Sequence, residues 1–199
     1  MNKLRILKLE GEFTEVNLSN LPNLTTLKIR YNFSHIKLVA RDYETLNLIK
    51  FGVSGVKYSL SMIVTEAILN FDAVREASFI LSKVAFEGEF KNLNILKTSE
   101  MNLIERMIGC PNLYHLYFKT YPEMDECCEE FMPKLKQIPN LSHLSLDFVY
   151  VDKRSIGDIS LDHPNIHTYK LRSCDTADKT ISISKNCVKL HTFILLQTL

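Results

Sequence analysis

An apolar spacing, Leu-x-x-Leu-x-Leu, returns along nearly the whole of this 199-residue chain. Its clearest copy is Leu113-x-x-Leu116-x-Phe118, preceded by Cys110-Pro111-Asn112. Leu4-x-x-Leu7-x-Leu9, Leu24-x-x-Leu27-x-Ile29, Leu141-x-x-Leu144-x-Leu146, Ile166-x-x-Tyr169-x-Leu171 and Leu190-x-x-Phe193-x-Leu195 fit the same template. Weaker copies fill the middle: Tyr43, Leu46 and Leu48; Val64, Ala67 and Leu69; Leu81, Val84 and Phe86; Leu93, Leu96 and Thr98. A unit this short cannot bury its apolar side alone and must stack on neighbours, so the recurrence demands a repeat solenoid. Read this way there are about ten irregular repeats, with starts 17 to 28 residues apart except for one step of 12 between Leu81 and Leu93. One of those two copies is expected to be an inserted hairpin.

Within each copy the last apolar residues alternate with polar ones, which is strand periodicity. Leu116 and Phe118 should point inward, and His115, Tyr117 and Lys119 outward. Pro22-Asn23, Pro111-Asn112, Pro139-Asn140 and Pro164-Asn165 precede the first apolar residue, where proline ends a preceding segment and asparagine tolerates a turn. Strands that all run the same way after a returning crossover form one parallel sheet. The expected fold is therefore α/β: a solenoid domain spanning 1–199, with a curved parallel sheet and with helices and irregular segments on its convex side. Phe51-Gly52-Val53-Ser54-Gly55 reads as a turn, and residues 120–138 as a helix that Pro133 kinks or ends.

Lysine plus arginine (24) nearly balance aspartate plus glutamate (23), so overall charge supplies no drive toward nucleic acid or an anionic membrane. No apolar run reaches the 18 residues of a span, and Met1-Asn2-Lys3-Leu4-Arg5 is not a signal peptide. Five cysteines without a C-x-x-C pair suit a reducing compartment, the cytoplasm or nucleus. The sequons at Asn17, Asn23, Asn32 and Asn140 are read as chance, because two of them fall in the recurrent turn. One repeat begins at Leu4 and another finishes at Leu195, leaving no room for polar caps. The expectation is repeats missing at both ends, or ends covered by another subunit.

Three blocks carry part of a longer pattern, C-x-x-L-x-x-L-x-L-x-x-C: Cys110 to Phe118, Ile166 to Cys174, and Cys187 to Leu195. This resembles the cysteine-containing class of leucine-rich repeats found in F-box proteins, and Ser61 to Leu69 resembles a segment common in plant F-box repeat proteins. The resemblance implies a leucine-rich repeat fold and a role in presenting substrates to a ubiquitin ligase, with the cysteines as small core residues. Because the first repeat starts at Leu4, no F-box is expected within these 199 residues.

Stacking in register places His115 and His143 on neighbouring strands, and His167 and His191 likewise. Two histidines could begin a metal site, which makes a metal-dependent enzyme an alternative reading, but neither a third ligand nor any catalytic motif accompanies them. Cys127-Cys128 reads as part of a helix face. The leading expectation is a non-enzymatic scaffold without cofactor or metal, which binds a protein or peptide, acidic in character, on the outward strand face. The residues expected to carry binding are His115, Tyr117, Lys119, His143, Asp147, Lys170 and Arg172, with Tyr117 as aromatic anchor. Lys8, Glu10, Lys28, Arg30, Asn47, Lys83, Glu87 and Lys97 are further outward positions. A structural or regulatory repeat fragment without a ubiquitin link is the second reading.

Overall fold

The computed structural model describes residues 3–31, 37–39, 46–55, 61–65, 69–80, 83–120, 128–148, 159–173 and 180–197. They belong to two compact units, Met1–Leu96 and Lys97–Leu199. Each is a solenoid-like stack of parallel strands with few helices.

In the first unit the chain runs through β1 (Ile6–Gly11), β2 (Glu15–Asn17), β3 (Thr26–Tyr31), β4 (Lys37–Val39), β5 (Lys50–Gly55), β6 (Ser61–Thr65), β7 (Glu76–Ile80) and β8 (Lys83–Glu87), and it enters β9 (Ile95–Thr98). The odd-numbered strands pair in sequence, all parallel: Leu7, Leu27, Phe51 and Ala77 share one row, and Leu9, Ile29, Val53 and Phe79 the next. Leu27, Ile29, Phe51, Val53, Ala77 and Phe79 are almost fully buried. Each such leucine, isoleucine or phenylalanine contributes about 1.5–3 kcal/mol by leaving water. Phe79, Phe86 and Phe90 pack edge to face beneath them, with centroids 4.8 Å apart for Phe79–Phe86 and 5.0 Å for Phe86–Phe90. The even-numbered strands make two separate two-stranded parallel ladders, β2 with β4 and β6 with β8.

The second unit holds α1 (Met101–Met107), β10 (His115–Thr120), α2 (Cys128–Leu135), β11 (His143–Phe148), β12 (Ile159–Leu161), β13 (Thr168–Ser173), β14 (Ile181–Ile183) and β15 (Thr192–Gln197). Strands β10, β11, β13 and β15 pair in that order and parallel, while β12 and β14 form their own ladder. Leu116, Phe118, Leu144, Leu146, Tyr169 and Leu171 fill the interior. Helix α1 buries Met101, Leu103, Ile104 and Met107, and its Glu105 forms an ion pair with Lys134 of α2. On β15 the inward residues Phe193 and Leu195 remain exposed, as do Ile194 and Leu196.

Two hydrogen-bond rules set the stacking. The carbonyl of the residue after each first apolar position accepts two N–H groups from the next repeat: Arg5 from Thr25 and Thr26 (2.9 and 3.0 Å), and Ser142 from His167 and Thr168 (2.8 and 3.1 Å). The asparagine before the first apolar residue also reaches back one repeat with its side-chain amide, from Asn92 to the carbonyl of Asp72 (3.1 Å), Asn140 to Pro111 (2.5 Å) and Asn165 to Pro139 (2.8 Å). The recurrent asparagine therefore does more than tolerate a turn. Asn92, Asn140 and Asn165 each link two repeats.

Several expectations need correction. The copies centred on Tyr43, Val64 and Leu81 are not the strand repeats; the chain uses Leu48-x-x-Phe51-x-Val53 and Val74-x-x-Ala77-x-Phe79. Nine copies then follow at 19 to 28 residues, instead of ten, and the copy at Leu93 is a regular one. The misreading has a physical origin. Val64, Val84 and Phe86 belong to the second ladder, which has strand periodicity of its own, and two glycines thin the apolar signal of β5. Phe51–Gly55 is thus a strand, not a turn. Among the described residues the returning segments of the first unit show strands and one short 3-10 turn, Phe71–Ala73, where helices and irregular segments were expected. Thr120 ends β10, Pro133 lies inside α2, and the start expected for that helix falls at 121–127, outside the described residues. Cys110 and Cys187 are buried as expected, whereas Cys127 and Cys174 lie outside the described residues.

His163 is buried in the turn after β12. Its Nδ1 accepts the N–H of Asn165 (3.2 Å) and its Nε2 faces the carbonyl of Ile138 (3.2 Å), an arrangement that fits the neutral ring with the proton on Nε2. Burial pushes its pKa below the usual 6.5, with the Ile138 and Leu135 carbonyls and the Asp162 carboxylate acting in the opposite direction and the Lys136 ammonium reinforcing it. The folded state therefore binds the proton less readily than the unfolded chain. The resulting stability is full above about pH 6.5 and falls as the pH drops through the folded pKa. Urea titrations at pH 7.5 and 5.5 should show a larger loss for the wild type than for His163→Asn, which keeps an acceptor for Asn165 without titrating. Equal losses would contradict it.

Candidate functional site

Strand alternation and register in the second unit set three outward rows across β10, β11, β13 and β15. His115, His143, Thr168 and Thr192 form the first, Tyr117, Ser145, Lys170 and Ile194 the second, and Lys119, Asp147, Arg172 and Leu196 the third. Neighbouring strands lie about 4.8 Å apart, so each row is a nearly continuous line of side chains. The first two rows surround a depression of about 430 Å³. His115, Tyr117, His143 and Lys170, four of the seven residues expected from the sequence, line it. Ser145, Thr168, Leu144 and Lys97 complete the lining.

The histidines expected to be neighbours are neighbours. The His115 and His143 rings are 5.7 Å apart, Tyr114 meets His143 edge-on at 6.3 Å, and Ser142 Oγ lies 2.8 Å from His143 Nδ1. His167 and His191 form a second tilted pair at 5.5 Å. Among the described residues no group of three or more His, Cys, Asp or Glu is placed to hold a metal ion.

Asp147 occupies an outward register position but is buried, contrary to the expectation that it projects into solvent. Tyr117, on the diagonal of the adjacent strand, donates its hydroxyl to Asp147 Oδ2 at 2.8 Å. The other carboxylate oxygen, Oδ1, is buried and has no hydrogen-bond partner among the described residues. In the row itself Asp147 stands at a register position between Lys119 and Arg172. The effect is to fix the Tyr117 ring at the rim of the depression. Lys119 is half-buried in the third row, and Arg172 is exposed beside it.

Sequence reasoning passed over Ser145 and Thr168 as site residues, although their outward alternation was the available signal. It also placed Lys83 and Glu87 on the strand face, whereas both lie in the β6–β8 ladder, and Asn47, which instead accepts the side-chain amide of Asn70 (2.8 Å). In the first unit one outward row carries an exposed Glu10–Arg30 ion pair at 3.2 Å, and the neighbouring row, Lys8 and Lys28, loses its side chain at Gly52. No family model matches this chain, and neither does any curated protein or solved structure.

The Tyr117–Asp147 contact can be weighed directly. Tyr117→Phe removes the one hydrogen bond of a buried carboxylate and should cost about 1–3 kcal/mol, whereas removing both partners together is far less costly. In a denaturant-measured cycle of Tyr117→Phe, Asp147→Leu and the double variant, the two effects should fall short of adding by about 1 kcal/mol or more. Additivity within about 0.5 kcal/mol would show that the contact does not hold the ring.

Proposed function

We propose that this chain is a protein-interaction scaffold of the leucine-rich repeat type, which binds a protein or peptide on the strand face of residues 97–199. The observation that carries the reading is the depression with Tyr117 at its rim. An aromatic anchor held by a buried carboxylate forfeits little side-chain freedom on binding, which is the economy that makes tyrosine effective at interfaces. The lining pairs rings with cations, and the exposed cations Lys170 and Arg172 favour a partner of acidic character. The buried turn cysteines Cys110 and Cys187 suit the cysteine-containing repeats that the sequence resembles. In its most specific form the reading makes the chain the substrate-recognition part of an F-box-type ubiquitin ligase subunit, in the cytoplasm or nucleus. That form requires association with a ligase adaptor. The repeat scaffold without a ubiquitin link is what remains if no adaptor is held.

A displayed library of random peptides panned on the purified chain tests the reading. Peptides enriched on the wild type should lose at least about 1 kcal/mol of binding on Tyr117→Ala. Lys170→Glu with Arg172→Glu should slow association, while Lys185→Glu, beyond β14, should change neither. The exposed lysine and arginine changes should stay within about 0.5 kcal/mol of neutral, and although half-buried Tyr117→Ala also gives up the hydrogen bond to Asp147, circular dichroism should show each variant folded under the assay conditions. Enrichment that survives the strand-face changes would place binding elsewhere.

A further inference from the structure

The composition of the depression says what kind of group it takes. Its lining contains two ammonium groups, Lys97 and Lys170, two imidazoles, His115 and His143, and the hydroxyls of Ser145 and Thr168, but no carboxylate. The one acid in the rows, Asp147, is outside the lining, buried, and turned to the Tyr117 hydroxyl, which it accepts through Oδ2. A site with this balance attracts an anion. Two ammonium charges match a phosphate monoester, which carries about −1.5 to −2 and three strong acceptor oxygens, better than a single carboxylate. Hydroxyls and imidazoles on three neighbouring strands, β10, β11 and β13, can serve several oxygens at once.

The walls add a second condition. Tyr117, His115 and His143 present ring surfaces, and the His115–His143 pair stands 5.7 Å apart. A volume of about 430 Å³ falls in the range of sites for small organic groups and exceeds what a bare phosphate fills. A phosphoserine, with one methylene between backbone and phosphate, would leave the rings uncovered unless the peptide backbone descended between them. An aryl phosphate covers them with its own ring and still reaches the ammonium groups.

We propose that the depression formed by His115, Tyr117, His143, Ser145, Thr168 and Lys170 is a phosphotyrosine pocket, in which the partner's aryl ring lies against the imidazole and phenol rings and its phosphate is held by lysine and hydroxyl donors. This rests on the peptide-binding reading above and names the group that is recognised. Phosphorylation would then act as the switch for association, because an unmodified tyrosine offers the ring without the charge.

Calorimetry on the whole chain with small probes tests it. Phenyl phosphate should bind at least tenfold tighter than inorganic phosphate, which lacks the ring, and tenfold tighter than phenol, which lacks the charge. Lys170→Glu should weaken phenyl phosphate at least tenfold, Lys170→Arg should largely preserve it, and His143→Gln should weaken it severalfold, with circular dichroism confirming the fold of each. A short phosphotyrosine peptide should displace phenyl phosphate, and the same peptide with phosphoserine or plain tyrosine should not. Equal affinity for inorganic and phenyl phosphate would reduce the site to a general anion patch and overturn the proposal, as would indifference to Lys170→Glu. If library peptides bind the strand face but phenyl phosphate neither binds nor displaces them, the scaffold reading stands and this one falls. If phenyl phosphate binds but no peptide of any kind is held, the scaffold reading falls, and with it the phosphotyrosine assignment.

Discussion

One backbone contact governs the rest: in seven repeats a single carbonyl accepts two N–H groups from the repeat that follows. Arg5, Thr25, Ile49 and Arg75 do this in the first unit, and Tyr114, Ser142 and His167 in the second. The contact falls just before each strand, so it sets where pairing begins. A slip of one residue would turn every inward leucine toward water. The asparagine amides at Asn92, Asn140 and Asn165 reinforce the same register from the side chain. Variation in the returning segments, whether helix, 3-10 turn or two-stranded ladder, is tolerated because both ends of each segment are fixed.

Fixed register is also what gives the outward face its chemistry. Tyr117 can reach Asp147 only because the two strands are aligned residue for residue, and the same alignment sets His115 beside His143. Burying a carboxylate with one oxygen unbonded is costly. The second unit bears that cost at the rim of its depression, between two cations, where the return is an aromatic ring held in one place. Among the described residues of the first unit no such device is seen: its outward rows contain Gly52, and its Glu10–Arg30 pair is exposed and screened by solvent.

Much of this was legible in the residues. The strongly patterned copies from Leu113 onward gave the strands, their direction and the inward set, and the alternation within them placed His115, Tyr117, Lys119, His143, Lys170 and Arg172 on the outward face. The middle was not legible, because two ladders with the same period of two compete there. Val64, Val84 and Phe86 look as strand-like as Phe51 and Val53, and only pairing distinguishes them. The burial of Asp147 was hidden for another reason: it follows from a diagonal contact with Tyr117 and not from the row that alternation defines. The double role of the asparagines was hidden likewise, since a sequence shows a residue that suits a turn but not the carbonyl it reaches.

The central claim is that recognition takes place on the strand face around the two adjacent histidines. Carbethoxylation of histidine by diethyl pyrocarbonate, read by mass spectrometry with and without a bound peptide, examines it most directly. His143 is exposed and His115 half-buried, and His191, exposed outside the depression on the same unit, serves as internal reference. Binding should slow modification of His115 and His143 and leave His191 unchanged. Protection of His191 with no change at His115 and His143 would contradict the account.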